Sequence, residues 1–317
     1  MKKVLRIGTR DSQLAVWQAT HVQQLLQQNS IESELVYIKS DGDIDLVTPL
    51  YEIGVQGVFT KTLDAALLSN KIDIAVHSMK DVPTQLAKGI TQAAVLKRGN
   101  YKDILVVKSE NIKSEILNPK SEISSLVNAV IATSSIRRKA QWLHKFPHHQ
   151  IVNLRGNVNT RLKKMEENNW DGAIFAAAGL ERIQLRPENA VELDWMLPAP
   201  AQGAIVIICK EEDNETKNGC ALLNDENTAV CTKIERDFLR TLMGGCSTPI
   251  SALAEIKNEQ VYFKGNIFSL DGKEKKDIEL SANKNNSGDV GVTAAEELLQ
   301  QGADKIVETI RNAEKKN

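Results

Sequence analysis

Residues 4–28 read VLRIGTRDSQLAVWQATHVQQLLQQ and contain the local pattern that decides the fold class. Val4–Ile7 is a short apolar run with the length and composition of a β-strand. Ser12–Gln28 then repeats its apolar side chains at helical spacing, at Leu14, Ala15, Trp17, Val22, Leu25 and Leu26. A strand that passes directly into a helix is the repeating unit of α/β proteins, so this stretch predicts that class.

The same alternation continues downstream of this unit. Strands are predicted at Glu34–Lys39, Ile72–Val76 and Thr91–Lys97. A helix is predicted at Thr60–Leu68, where Thr60 is a suitable N-cap. Together these elements predict an open, mostly parallel sheet.

A second alternating unit occupies the middle of the chain. Its predicted elements are Ala129–Ala132, Ser135–Phe146, Gln150–Asn153, Val158–Asn168 and Gly172–Ala177. The two units are joined by two stretches rich in polar residues, Pro or Gly, at 97–102 and 197–203. The apolar run 204–209 follows the second of these stretches. The patterns predict two α/β lobes. Such a pair, joined by two crossovers, resembles the hinged lobes of the type II periplasmic-binding-protein fold.

The last third of the chain has a different pattern. A helix at Glu226–Met243 precedes short strands, and the turn signal Asp271-Gly272 lies between two of them. The strands are predicted at Ser251–Glu255, Gln260–Phe268 and Lys276–Leu280, and a closing amphipathic helix at Val292–Asn312. We therefore predict a small α+β domain. The predicted boundaries are 1–99 with 200–219 for the first lobe, 100–199 for the second, and 220–317 for the α+β domain.

Composition excludes several classes of protein. The net charge of 317 residues is only -1, which argues against a nucleic-acid partner. No apolar run reaches the ~18–20 residues of a membrane span, and Arg6 and Arg10 interrupt any signal-peptide core, so we expect a cytoplasmic protein. The four cysteines form no CxxC pair, which disfavours a zinc site or a redox dithiol. We expect no metal.

Arginine is concentrated where a strand passes into a helix. Six of the 12 arginines lie between Arg137 and Arg186. Arg137 and Arg138 fall in the first turn of a helix capped by Ser134 or Ser135, where cations oppose the helix dipole. Similar junctions carry Arg155 with Arg161, and Arg10. Three such junctions favour anion sites made of backbone N–H groups and guanidinium, although a solvated basic face is the simpler alternative.

One carboxylate and one cysteine are candidates for chemistry. Asp81 follows the apolar strand before Pro83, and it is equally consistent with an acid–base or cation-stabilising role and with a cap. His77 is interpreted as a core or hinge residue. Cys246 lies in the loop Met243-Gly-Gly-Cys-Ser-Thr-Pro249. No histidine lies nearby, so covalent attachment of a group fits better than a hydrolase nucleophile. Cys209, Cys220 and Cys231 are expected in the core.

These segments together resemble the porphobilinogen deaminase family. The matching motifs are RIGTRDSQLAVWQ (6–18), IDIAVHSMKDVPT (72–84), ATSSIRRKAQ (132–141), LRGNVNTRL (154–162), AAAGLER (176–182), PAPAQGA (198–204) and GGCSTPI (244–250). They occur in the family's order and span all three predicted domains. The resemblance implies two hinged α/β lobes and a small α+β domain that bears a cofactor cysteine.

The resemblance also implies an activity. The enzyme would be a transferase that condenses four porphobilinogen molecules with loss of ammonia and then releases linear hydroxymethylbilane by hydrolysis. Cys246 would hold a dipyrromethane primer through a thioether, and Asp81 would be the catalytic group. A monomer is the family expectation.

Further site residues follow from the same correspondence. The implied cofactor-binding residues are Lys80, Thr133, Ser135, Arg137, Arg138, Arg155 and Gly156. The implied substrate-binding residues are Arg10, Ser12, Phe59, Arg155, Arg161, Arg182 and Gln202. The sequence departs from the family pattern at Gln56, where a loop lysine is common, and at Ala201 and Met243.

Two other classes of protein remain open from the residues themselves. A two-lobed anion receptor explains the lobes and the arginines but leaves Cys246 unexplained. An acyl or phosphoryl transferase with Cys246 as nucleophile lacks a nearby base.

Overall fold

The computed structural model describes residues 4–39, 60–108, 128–242 and 248–314. The first part of the chain forms β1 (Leu5–Thr9), α1 (Gln13–Gln28), β2 (Ser33–Tyr37), α2 (Lys61–Leu68), β3 (Ile74–Ser78) and β4 (Ile90–Val95). The middle forms β5 (Asp103–Val107), β6 (Val130–Ala132), α3 (Ile136–Lys145), β7 (Gln150–Val152), α4 (Val158–Glu167), β8 (Gly172–Ala176), α5 (Ala177–Arg182) and β9 (Val191–Glu192). The last part forms β10 (Ile205–Lys210), α6 (Asn214–Ala221), α7 (Glu226–Leu242), β11 (Ile250–Lys257), β12 (Gln260–Phe268), β13 (Lys275–Asn283), α8 (Val290–Leu298) and α9 (Asp304–Glu314).

Two five-stranded sheets confirm the predicted α/β lobes. Their strand orders are β2-β1-β3-β10-β4 and β7-β6-β8-β5-β9. In each sheet the fourth strand, β10 or β5, comes directly after a crossover and runs antiparallel to both of its neighbours. The other four described strands of each sheet run in one direction, so the expected mostly parallel sheets are confirmed, each with one antiparallel strand that was not predicted.

Apolar strands place the lobe cores on both faces of each sheet. Ile74 and Ile207 belong to the core on one face of the first sheet, whereas Ala75 and Ile208 belong to the core on the other. Strand β5, which the sequence analysis did not predict, is buried along its whole length. It begins with Asp103, whose carboxylate is fully buried among apolar strands.

The third sheet has the order β11-β12-β13 and confirms the small α+β domain. Helices α7 and α8 pack against it, and Phe238 of α7 contacts Phe263 in an edge-on arrangement with 5.1 Å between ring centroids. The single closing helix predicted at Val292–Asn312 is wrong, because Gly302 adopts φ 97° and separates α8 from α9. Within the described residues, no helix is long and apolar enough to span a membrane.

Candidate active site

A cavity of about 240 Å³ lies between the two α/β lobes. The first lobe contributes Arg10 and Ser12 after β1, and Lys80 and Asp81 after β3. The second lobe contributes residues after β7 and on α4 and α5, namely Arg155, Gly156, Arg161 and Arg182. The cavity therefore lies at the carboxyl ends of strands, where open α/β sheets bind ligands.

The cavity wall is strongly cationic. Its charged residues, among those described, are one carboxylate, Asp81, and six cations, Arg10, Lys80, Arg138, Arg155, Arg161 and Arg182. Such an excess of one sign in a partly enclosed space focuses a positive potential. The cavity is suited to a ligand that carries several negative charges.

Three of these cations are held away from bulk water, and their pKa values fall accordingly. Desolvation lowers the pKa of Lys80 to about 8, although Asp81 opposes this shift. Desolvation also lowers the pKa of Arg161 to about 10, assisted by Arg138. Desolvation likewise lowers the pKa of Arg182 to about 10. Binding of an anion would favour the charged form of each group.

Asp103 organises several of these side chains. Its Oδ2 lies 2.7 Å from Nη2 of Arg137, and its Oδ1 accepts hydrogen bonds from Nε and Nη2 of Arg138 at 3.0 and 2.8 Å. Gln202 donates to the same Oδ1 at 2.9 Å and accepts from Lys80 at 3.3 Å. Burial tends to raise the pKa of Asp103, but the two arginines outweigh it and the pKa falls to about 2.

The first-turn arginines of α3 therefore have an internal anion as their partner. Ser135 is the N-cap of α3, and its Oγ accepts from the backbone N–H of Arg138 at 3.4 Å. This contact resolves the choice between Ser134 and Ser135. Asp103 was not predicted as a site residue, because its only local signal is an acidic residue at the start of an apolar run.

Asp81 lies in a short 3-10 turn, Met79–Asp81, that follows β3. Its side chain is exposed toward the cavity, and no described residue hydrogen bonds to its carboxylate or forms an ion pair with it. The alternative that Asp81 caps the next segment is thus unsupported among the residues that the structure describes. The carboxylate is available to a ligand.

A smaller cavity of about 50 Å³ adjoins the turn on the side of the third domain. Lys80, Ser135, Arg137 and Thr248 contribute its polar atoms. Nη1 of Arg137 donates to the carbonyl of Leu197 at 2.7 Å, whereas its buried Nε has no hydrogen-bond partner among the described residues. That N–H is suited to a ligand oxygen.

The structure brings most of the predicted site residues together. Those lining the larger cavity are Arg10, Ser12, Lys80, Asp81, Arg138, Arg155, Gly156, Arg161, Arg182 and Gln202, and those lining the smaller one are Lys80, Ser135 and Arg137. Thr133 lines neither of these two cavities; its hydroxyl accepts from the backbone N–H of Ser135 at 3.3 Å. Cys246, Phe59, Gln56 and Met243 lie outside the described residues.

His77 is confirmed as a buried residue of β3. It also lines the larger cavity, and its Nε2 has no hydrogen-bond partner among the described residues. Burial, aided by Arg10, lowers its pKa to about 3. The imidazole is therefore neutral at physiological pH.

The three described cysteines are confirmed as core residues. Cys209, Cys220 and Cys231 are all buried. Burial raises the pKa of Cys220 and of Cys231 to about 12, and it also raises the pKa of Cys209. The thiolate is the reactive form, so these three thiols are poor candidates for covalent chemistry.

Two models of known protein families match most of this chain. Residues 5–218 match the family model "Porphobilinogen deaminase, dipyromethane cofactor binding domain", and residues 229–300 match "Porphobilinogen deaminase, C-terminal domain". The chain belongs to the porphobilinogen deaminase family. Relatives named porphobilinogen deaminase include one from Chlorobium phaeobacteroides, 40% identical over 98% of this chain and 99% of that protein. Another, from Syntrophotalea carbinolica, is 41% identical over 96% of this chain and 95% of that protein.

Solved structures similar to the chain include periplasmic binding proteins. The methionine binding protein MetQ is 13% identical, with a TM-score of 0.43 over 69% of this chain and 89% of that one. A periplasmic substrate-binding protein of an ABC transporter from Coxiella burnetii is also 13% identical, with a TM-score of 0.43 over 71% of this chain and 94% of that one.

The porphobilinogen deaminase cofactor-binding region, 5–218, contains both α/β sheets and the cationic cavity between them. Dipyrromethane carries acetate and propionate side chains, which require cationic or N–H partners. The unpartnered Nε of Arg137 and the cations around Asp81 meet that requirement. The residues present therefore fit this cofactor.

Proposed function

We propose that this member of the porphobilinogen deaminase family is a hydroxymethylbilane synthase, a transferase that joins four porphobilinogen molecules head to tail. In each addition the bond between the aminomethyl carbon and its nitrogen breaks, and ammonia leaves. A carbon–carbon bond forms from that aminomethyl carbon to a pyrrole α-carbon, which loses a proton. Water then releases the linear tetrapyrrole hydroxymethylbilane.

The observation that carries this proposal is one carboxylate among six cations in a cavity of this family's cofactor-binding region. Porphobilinogen brings two carboxylates and one site that becomes positive when ammonia leaves. The cations suit the carboxylates, and Asp81 suits the positive centre. A neutral or cationic substrate would leave Lys80, Arg161 and Arg182, which burial desolvates, without an added anion to favour their charged forms.

Asp81 has the central chemical role in the proposal. Its carboxylate stabilises the cation that remains on the substrate once ammonia has departed, and it assists removal of the proton after the bond has formed. Its exposure toward the cavity, and the lack of a hydrogen bond from any described residue, leave both oxygens available for pyrrole N–H groups. Arg10, Ser12, Arg161, Arg182 and Gln202 bind the substrate.

The primer is proposed to be a dipyrromethane joined by a thioether to Cys246. When bound, it supplies the pyrrole α-carbon to which the first substrate is joined. Its carboxylates would be held by Lys80 and by second-lobe residues that line the cavities, namely Ser135, Arg137, Arg138, Arg155 and Gly156. Thr133, which lines neither cavity, is included in this set from the family resemblance alone. Phe59 is proposed to cover the substrate.

The location, the oligomeric state, the partners and the domain boundaries of the protein belong to the same proposal. The chain is a cytoplasmic monomer with no nucleic-acid or membrane partner. Its domains are 1–99 with 200–219, 100–199, and 220–317. The last of these carries the cofactor cysteine.

Intact-protein mass and a turnover assay test the proposal together. Protein from a pyrrole-making host should exceed its sequence mass by one dipyrromethane and should convert porphobilinogen to ammonia and hydroxymethylbilane. Cys246→Ser should lack the added mass. Cys231→Ala, a change at a buried cysteine of α7, should keep it. A wild-type protein with the bare sequence mass and no turnover would overturn the proposal.

The role of Asp81 has its own variant. Asp81→Asn should keep the added mass, because the change preserves shape and removes only the negative charge. Turnover should fall by about 100-fold or more, since acid–base assistance typically contributes ~10²–10⁴ to a rate. Near-normal turnover by a fully loaded Asp81→Asn protein would exclude the catalytic role.

A further inference from the structure

The turn that bears Asp81 is held by its backbone. No described residue bonds to the Asp81 carboxylate, so the carboxylate position depends on where the main chain of the turn lies. Within the turn, the N–H of Val82 donates to the carbonyl of Met79 at 3.2 Å. The N–H of Met79 donates to the carbonyl of Ala204 at 3.0 Å. Further hydrogen bonds to this segment come from another part of the chain.

Arg236, on α7 of the third domain, donates to three carbonyls of this segment, and one of them is the Met79 carbonyl that also accepts from Val82. Its Nη1 donates to the carbonyls of Met79 at 3.3 Å and Val82 at 2.9 Å. Its Nη2 donates to the carbonyl of Pro83 at 2.5 Å. The three acceptors lie on both sides of Lys80 and Asp81 in the sequence. A planar guanidinium can hold several acceptors in a fixed arrangement, which the compact ammonium of lysine cannot.

Helix α7 is itself firmly anchored beside Arg236. The neighbouring Glu235 is fully buried, and its Oε1 lies 2.5 Å from Nη1 of Arg98. Its oxygens also accept from the backbone N–H of Ala201 at 2.6 Å and of Ala254 at 2.8 Å. These contacts join α7 to both crossovers and to β11. Arg236 therefore reaches the Asp81 turn from a rigid base, as precise placement of a reacting group requires.

We propose that Arg236 is a positioning residue for Asp81, which holds the catalytic turn in place from the domain that carries the cofactor cysteine. This inference rests on the proposed function of Asp81. Helix α7 ends at Leu242, four residues before Cys246 in the sequence. One helix thus leads to the primer attachment point and also fixes the backbone of the carboxylate that acts on the growing end.

A purely structural tie between domains predicts a different result from a positioning residue. Loss of a structural tie lowers stability and leaves kcat of the folded, loaded enzyme unchanged. Loss of positioning lowers kcat with little change in KM, because the substrate carboxylates are held by other side chains. The two roles are therefore separable by kinetics.

The test compares three variants of the full-length holoenzyme. Arg236→Met removes the guanidinium, and Arg236→Lys keeps a cation that can reach fewer carbonyls. Arg240→Met is the matched control, because Arg240 is on the same helix, is 56% exposed and pairs with Asp237 at 2.8 Å. Each protein is measured for intact mass, thermal unfolding, amide hydrogen exchange over residues 79–84, and kcat and KM for porphobilinogen.

We expect Arg236→Met to keep the added primer mass and to show faster exchange over residues 79–84, with unchanged exchange in β10. Its kcat should fall at least about tenfold, toward the ~100-fold that a misplacement of roughly 1 Å can cost. Its KM should stay within about twofold of wild type. Arg236→Lys should restore part of kcat, and Arg240→Met should match wild type throughout.

Several results would overturn the inference. Wild-type kcat or wild-type exchange in folded Arg236→Met would do so. If Arg236→Met fails to fold, Arg236→Lys decides, and wild-type exchange with wild-type kcat in that variant excludes positioning. A wild-type enzyme that produces no tetrapyrrole would instead refute the proposed function, and the inference with it.

Discussion

Asp103→Asn should weaken both the second lobe and the cofactor site. The carboxylate is fully buried and contacts Arg137 at 2.7 Å, Arg138 at 2.8 and 3.0 Å, and Gln202 at 2.9 Å. Asparagine keeps the shape of the side chain but removes the charge that balances two buried guanidinium groups. It also places an N–H donor where one acceptor oxygen stood, opposite arginine donors.

Two independent magnitudes bracket the loss of stability. The pKa of Asp103 is about 2 in the folded protein and 3.8 ordinarily, so ionisation contributes roughly 2 kcal/mol at pH 7. Removal of one partner from a buried ion pair typically costs ~3–5 kcal/mol. We therefore expect the free energy of unfolding of the second lobe to fall by ~2–5 kcal/mol. The pKa is depressed, so this contribution is present above about pH 4 and is lost as pH falls toward 2.

Urea unfolding at pH 7, followed by tryptophan fluorescence, to which the buried Trp142 of the second lobe contributes, measures this change. With a slope of ~2 kcal/mol/M, the midpoint should fall by about 1–2.5 M. Intact mass should show a fraction without primer, because Arg137 loses its orienting partner. Asp194→Asn is the matched control: its carboxylate is 74% exposed and lies 2.7 Å from Lys102, so the change should cost under ~1 kcal/mol. A fully loaded Asp103→Asn protein within ~1 kcal/mol of wild type would refute the reasoning.

Three further outcomes are expected. Arg137→Leu should yield protein largely without the primer mass. Lys139→Leu, a change at an exposed neighbouring residue, should leave the protein fully loaded. Equal loading of the two proteins would contradict the role of Arg137 in binding the primer. The pKa of Lys80 is about 8 without a ligand, and the primer carboxylates should raise it, so kcat/KM for porphobilinogen should decline only at a pH above 8. Lys80→Met should lack that inflection, and a decline at the same pH in both proteins would assign it to another group. Glu235→Gln should lower the free energy of unfolding by ~3 kcal/mol or more, because it leaves the charge of Arg98 unbalanced. A urea midpoint equal to that of the wild type would contradict this loss of stability.

Local patterns in the sequence predicted the helices and strands whose apolar residues recur at a regular spacing. Strand β1 with helix α1, and strand β6 with helix α3, lie close to their predicted ranges, because apolar spacing reports which face of an element is buried. The α+β domain was also predicted from strand and turn signals, and the turn at Gly272 is confirmed by its φ of 76°. The break at Gly302 was missed because the residues on both sides continue a helical pattern.

The family motifs predicted the side chains of the proposed site. Most of these side chains lie around the cavity between the lobes. Their partners could not be predicted in the same way. Asp103 reaches Arg138 across 35 residues and Gln202 across 99, and Arg236 reaches Val82 across 154. No local period or motif encodes such contacts.

The α/β class and the third domain follow from the sequence, which also predicts the arginines, the carboxylate and the cysteine of the proposed site. The packing of distant segments, in contrast, sets the contacts of an internal carboxylate with two of those arginines, and of an arginine of the third domain with the turn that bears Asp81. The physical reason is that the type and spacing of residues are local properties. Pairing of buried charges and of backbone carbonyls depends instead on which distant segments the packed cores bring within hydrogen-bond distance.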